Sequence, residues 1–94
     1  MDKPLKLLNY LKTEMDNTIH INYKQDFNTG KHQYRFSLKY HNCFIDFSRE
    51  YIDDNEYEDI IDSLNKWFLI EKVTDTTNYV RFFITNQGIK IIKT

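Results

Sequence analysis

A chain of 94 residues with 40% hydrophobic content can close one core but is below the size at which an enzyme usually builds a deep cleft. One domain over residues 1–94 and a role without catalysis are therefore expected. Its single cysteine, Cys43, excludes an intrachain disulfide, and no apolar run reaches the length of a membrane span or a secretory signal, which points to a cytoplasmic protein.

The net charge of −1 hides segregation: residues 1–45 hold seven Lys/Arg against four Asp/Glu, residues 46–65 hold Arg49 against eight acids, and residues 66–94 hold five bases against two acids. Such a pattern suits either a bipolar surface or a mixed, solubilising one. Seven Phe, seven Tyr and Trp67 point to an aromatic core, worth about 25 cal/mol per Å² of apolar area buried. Alanine is absent while Asn, Ile, Lys, Asp and Tyr abound, a bias that fits an AT-rich coding sequence of a low-GC bacterium, phage or mobile element.

Pro4 suits a first helical turn, and Leu7, Leu8, Leu11 and Met15 recur at helical spacing, so the pattern predicts an amphipathic helix over residues 3–15. Ile19, Ile21 and Tyr23 alternate with His20 and Asn22 as in a half-buried strand, and Asn28-Thr29-Gly30 marks a turn. Residues 33–50 fit a hairpin turning at His41-Asn42, with Tyr40 opposite Cys43, Leu38 opposite Ile45, Phe36 opposite Phe47 and Tyr34 opposite Arg49. Residues 43–52 also fit a helix, because Cys43, Phe47 and Tyr51 are spaced by four; the continuous register favours a strand.

Asp53 or Asp54 can cap the next helix, Asp53 and Glu56 having the spacing of a capping box. Tyr57, Ile60, Ile61, Leu64 and Phe68 trace its apolar stripe, and Glu56, Glu58, Asp59 and Asp62 line its opposite face. Residues 68–73 read as a strand, 74–78 as a polar turn and 79–84 as the returning strand. Thr85 then starts a short helix carrying Ile89 and Ile92, or a third strand.

The run Leu64-Asn65-Lys66-Trp67-Phe68-Leu69-Ile70-Glu71-Lys72-Val73, a polar turn, and Phe83-Ile84-Thr85-Asn86-Gln87-Gly88-Ile89-Lys90-Ile91-Ile92 resembles the recognition helix, wing and terminal helix of winged-helix proteins. Phe68 stands where that family usually has glycine, and the front half departs from the pattern. Combined with the elements read above, the resemblance implies a small, winged-helix-like α+β domain: a helix and an antiparallel β-meander, both from the periodicity, then an amphipathic helix and a C-terminal β-hairpin. It further implies that Asn55, Glu58, Asp59 and Asp62 approach a major groove while Lys72, Asn78 and Arg81 flank the wing. DNA affinity comes mostly from neutralising phosphates, and carboxylates on the reading helix oppose it.

The residues thus favour a protein partner. Asp54, Glu58, Asp59 and Asp62 form an acidic docking face flanked by Tyr51 and Tyr57, aromatics of the type that anchors interfaces. The matching role is an inhibitor or accessory subunit, monomeric or homodimeric, that docks on a nucleic-acid-handling protein; a winged-helix DNA-binding transcription regulator using Lys72, Asn78 and Arg81 is the alternative. Tyr34, Arg35, Phe36, Lys39 and Tyr40 mix aromatics and bases as single-strand binders do, but the shared face of Tyr34, Phe36 and Tyr40 reads as core. His20, His32, His41 and Cys43 suffice in number for a tetrahedral metal site yet lack paired spacing, so no metal or cofactor is expected. No nucleophile elbow or phosphate-binding glycine loop is present.

Overall fold

The computed structural model describes residues 2–76 and 80–93. Helix α1 spans Lys3–Glu14, where the Asp2 carboxylate accepts from the Leu5 amide at 3.0 Å. That cap satisfies one of the amides a helix start leaves open, and Pro4 beside it lacks an amide to satisfy. Leu7 and Leu11, one turn apart, are completely buried, as the apolar spacing predicts.

Strands β1 (His20–Gln25), β2 (His32–Ser37) and β3 (Asn42–Phe47) form an antiparallel meander. The first turn is held by Asp26, whose carboxylate accepts from the Asn28 amide and the Thr29 hydroxyl, and by Gly30 at φ 75°. The β2–β3 hairpin corrects the expected register by four residues: Phe36 faces Cys43, Tyr34 faces Ile45 and His32 faces Phe47. A two-residue turn at His41-Asn42 would favour positive φ, and neither residue adopts it; residues 38–41 turn the chain instead, with the Leu38 amide donating to the His41 carbonyl at 3.0 Å. An even slip keeps every side chain on its expected face.

Residues 43–52 are part strand and part helix. Ser48 ends β3, its hydroxyl accepting from the Tyr51 amide at 3.1 Å, and α2 runs over Arg49–Asp54. Helix α3 spans Tyr57–Lys66 with Glu56 at its N-cap and no side-chain cap bond, so neither Asp53 nor Asp54 caps it. Residues 68–73 correct the expected strand: Phe68 turns left-handed at φ 55°, and helix α4 covers Leu69–Thr74. Leu69 and Val73, four apart, are fully buried; that burial outweighs the strand preference of the β-branched residues.

Strand β4 (Val80–Thr85) pairs in parallel with β3, and β5 (Gly88–Lys93) pairs antiparallel with β4. A parallel neighbour requires a crossover connection, which the three helices supply. The last segment is therefore a strand rather than a short helix. The expected order is matched only in part: the helix, the meander and the amphipathic helix follow one another, but the hairpin of 68–73 with 79–84 does not form, since α4 replaces its first strand. Helices α2 and α4 flank α3, and the β4–β5 hairpin extends the meander into one sheet ordered β1-β2-β3-β4-β5.

The result is an α+β domain of two layers. Helical Leu7, Leu11, Ile60, Leu64, Leu69 and Val73 share a core with strand residues Phe36, Ile45, Phe47, Phe82 and Ile84. Aromatic rings organise its β1–β3 side, where Tyr34 meets Phe47 edge to face at 5.6 Å and donates its hydroxyl to the Pro4 carbonyl at 2.7 Å. Since side chains alternate along each strand, the residues between these core positions form the other sheet face. None of the helices covers that face.

Candidate functional site

Two surfaces of opposite charge result from this layering. On the helical side, Glu50, Asp53, Asp54, Glu56, Glu58, Asp59 and Asp62 are all exposed. Their placement follows from the apolar stripe: with Ile60 and Leu64 turned into the core, the acids between them must face water. Among the described residues, none of these carboxylates forms an ion pair; Asp54 instead accepts from the Asn86 side-chain amide at 3.0 Å. Glu58 and Asp59 sit in the first turn of α3, where the helix dipole favours negative charge.

Of the two tyrosines expected to flank this face, one is absent from it. Tyr51 is 4% exposed and lies between Phe47 and Trp67, at ring distances of 6.0 and 6.4 Å. It is core because α2 turns that side toward the sheet, an orientation the strand reading could not show. Tyr57 is half-buried, with the Lys6 ammonium 5.4 Å from its ring centre. It lines a groove of about 420 Å³ between α1 and α3, shared with Lys6, Tyr10 and Glu58.

The open sheet face carries a row across all five strands, Asn22, Arg35, Phe44, Arg81 and Ile92, and a second row, Lys24, Gln33, Asp46, Phe83 and Lys90. Arg81 lies over the Phe44 ring at 4.3 Å and bonds the Asp46 carboxylate at 2.5 Å. The Lys31 ammonium lies 4.6 Å over the Phe83 ring. Asp46 is 2% exposed even though its face lacks a covering layer, so the side chains around it shield its charge. A shallow depression of about 240 Å³ adjoins Phe44, lined by Asn22, Tyr23, Lys24, Gln33 and Arg35.

The residues expected to flank a wing separate. The Lys72 ammonium bonds the Trp67 carbonyl at the end of α3, Arg81 belongs to the open sheet face, and Asn78 lies outside the described residues. Of the face that alternation reads as core, Tyr34 and Phe36 are completely buried, but Tyr40 is 84% exposed, because β2 ends at Ser37 and residues 38–41 form the turn; Arg35 points to the open face. The partners that matter for Arg35, Phe44 on one side and Asn22 on the other, come from neighbouring strands.

The histidines and the thiol do not converge. The His32 ring Nδ1 is 2.7 Å from the Tyr23 hydroxyl, and burial lowers the ring's pKa below its ordinary value of 6.5. The His41 ring Nε2 is 2.8 Å from the Thr76 hydroxyl. Cys43 is buried, which pushes its thiol up to about 12 and keeps it from acting as a thiolate near neutral pH. Among the described residues, no three of His, Cys, Asp and Glu stand close enough together to hold a metal ion. No helix is long and apolar enough to cross a membrane, among the same residues.

These features define a two-layer α+β domain with an acidic helical surface and a basic, aromatic open sheet. The chain matches no family model, no curated protein and no solved structure.

Proposed function

We propose that this chain is a non-catalytic binding module that docks, through the acidic face of α2 and α3, on a basic surface of a nucleic-acid-handling protein. An inhibitor or accessory subunit of a phage or mobile element fits that role. The observation that carries the reading is the set of exposed carboxylates on α2 and α3, which have no ion-pair partner among the described residues. Unneutralised like charges on one side create a directional field, and such a field speeds and orients association with a surface of the opposite sign. Proteins that handle nucleic acid carry such surfaces, and acids spaced along a helix present them with a row of anions. Tyr57 and the groove beside it supply an apolar edge on which a contact can close.

Duplex DNA recognition through α3 and the β4–β5 hairpin is less well supported. It would bring Glu58, Asp59 and Asp62 toward phosphates, and the cations assigned to it are engaged elsewhere, Lys72 with the Trp67 carbonyl and Arg81 with Asp46.

The test is capture from lysate of the parent cell on immobilised protein, with and without nuclease, by wild type and by a variant carrying Glu58→Lys, Asp59→Lys and Asp62→Lys. These side chains are exposed, so the variant should fold. A defined partner is expected to survive nuclease with wild type and to be lost, by at least about tenfold, with the variant. Equal capture by both proteins would reject the acidic face.

A further inference from the structure

We propose that the open face of the sheet binds single-stranded nucleic acid, two or three bases lying across β1 to β4. Strands are about 4.8 Å apart, so a row over four of them reaches about 14 Å. Sheets of that width that read RNA stack two or three bases. The charge of the face suits a polyanion: Arg81 and Asp46 neutralise each other, Asp26 lies near Lys24 at the β1–β2 turn, and Lys31, Arg35 and Lys90 add further positive charge.

Stacking groups are in place beside these charges. Phe44 and Phe83 both project from the open face and are partly exposed. The Arg81 guanidinium, held by Asp46 and seated over Phe44, is a planar group fixed before binding; a base can stack on such a plane as on a ring. The depression beside Phe44 measures about 240 Å³, below the roughly 300–1,000 Å³ of sites that enclose drug-sized ligands. It suits one flat ring system, whose edge would meet the side-chain amides of Asn22 and Gln33.

The shape selects single strands over duplex. Stacking on Phe44 or Arg81 needs an unstacked base, and a five-stranded sheet is too wide for a major groove of about 12 Å. The acidic helices on the reverse repel phosphates from the other side, so charge steers the polyanion to the sheet.

The experiment is fluorescence anisotropy with labelled oligouridine and oligothymidine of about ten nucleotides, a length within the site sizes of such binders, against a blunt duplex of equal length. Wild type is expected to bind at least one of the single strands saturably at low salt and at least about tenfold more tightly than duplex. With three or four phosphates neutralised, log affinity should fall against log salt with a slope of about −2 to −3. Joint Arg35→Glu and Lys90→Glu substitution of exposed residues should weaken binding about tenfold or more and flatten that slope. Phe44→Leu keeps an apolar side chain but removes the ring, and should weaken binding about fivefold or more. The proposal is overturned by no saturable binding, by equal affinity for duplex, or by wild-type affinity in both variants. Capture of a protein through this face without oligonucleotide binding would overturn it too.

Discussion

Phe68 is the only described non-glycine residue with positive φ. A left-handed residue with a side chain suffers a clash with its own carbonyl worth about 1–2 kcal/mol, while glycine adds entropy to the unfolded chain. Phe68 is 62% exposed, so its ring contributes little packing to offset the strain. Phe68→Gly should therefore stabilise the domain by about 0.5–1 kcal/mol and raise its calorimetric Tm by a few degrees, whereas Phe68→Ala should not. A lower Tm for the glycine variant would show that the ring contacts matter more than the backbone.

His32 makes stability depend on pH. Burial lowers its folded pKa below 6.5, with Asp53 and Asp2 opposing the shift. The unfolded chain then binds a proton more readily than the folded one. This contribution is full above pH 6.5 and is lost as pH falls from there through the folded value. Denaturant midpoints measured over that window should fall as acid is added, and His32→Phe should remove that slope. An unchanged slope in the variant would assign it elsewhere.

At the element scale, Ser48 separates a strand from a helix. Its hydroxyl accepts from the Tyr51 amide, and its own amide donates to the Ile84 carbonyl at 2.9 Å, so it joins β3, α2 and β4. Ser48→Ala should cost about 1 kcal/mol in chemical denaturation and Ser48→Asp much less, because only the cap bond is lost. Equal losses would mean that burial of residue 48, rather than capping, sets the cost. Elements with a strong period were legible: α1 and α3 declare themselves by Leu7 with Leu11 and by Ile60 with Leu64. Leu69-Ile70-Glu71-Lys72-Val73 was not legible, because a short apolar run suits helix and strand alike until burial of Leu69 and Val73 selects one.

The whole molecule places the acidic face of α2 and α3 and the open sheet on opposite sides of a two-layer fold, which gives the two proposed surfaces separate tests. Glu58→Lys, Asp59→Lys and Asp62→Lys should abolish protein capture and leave oligonucleotide affinity equal or higher. Arg35→Glu with Lys90→Glu should do the reverse, since distant independent sites usually add. Loss of both activities in either variant, with Tm unchanged, would mean that the two surfaces are not separate.

The acidic surface could be read in advance because seven of its carboxylates fall within residues 50–62, a local run that any helix keeps together. The basic sheet could not, because it is drawn from Lys24, Arg35, Arg81 and Lys90, residues that lie far apart along the chain. Sequence alone determined much of the aromatic core, the longer helices α1 and α3 and the apolar side of β1, β2 and β3, since these depend on spacing within single elements. Tertiary structure decided the four-residue hairpin register, the burial of Tyr51 and the parallel β3–β4 pairing that brings Phe44 and Arg81 into contact. Those depend on which elements become neighbours, a choice made by the burial of the whole core rather than by any one segment.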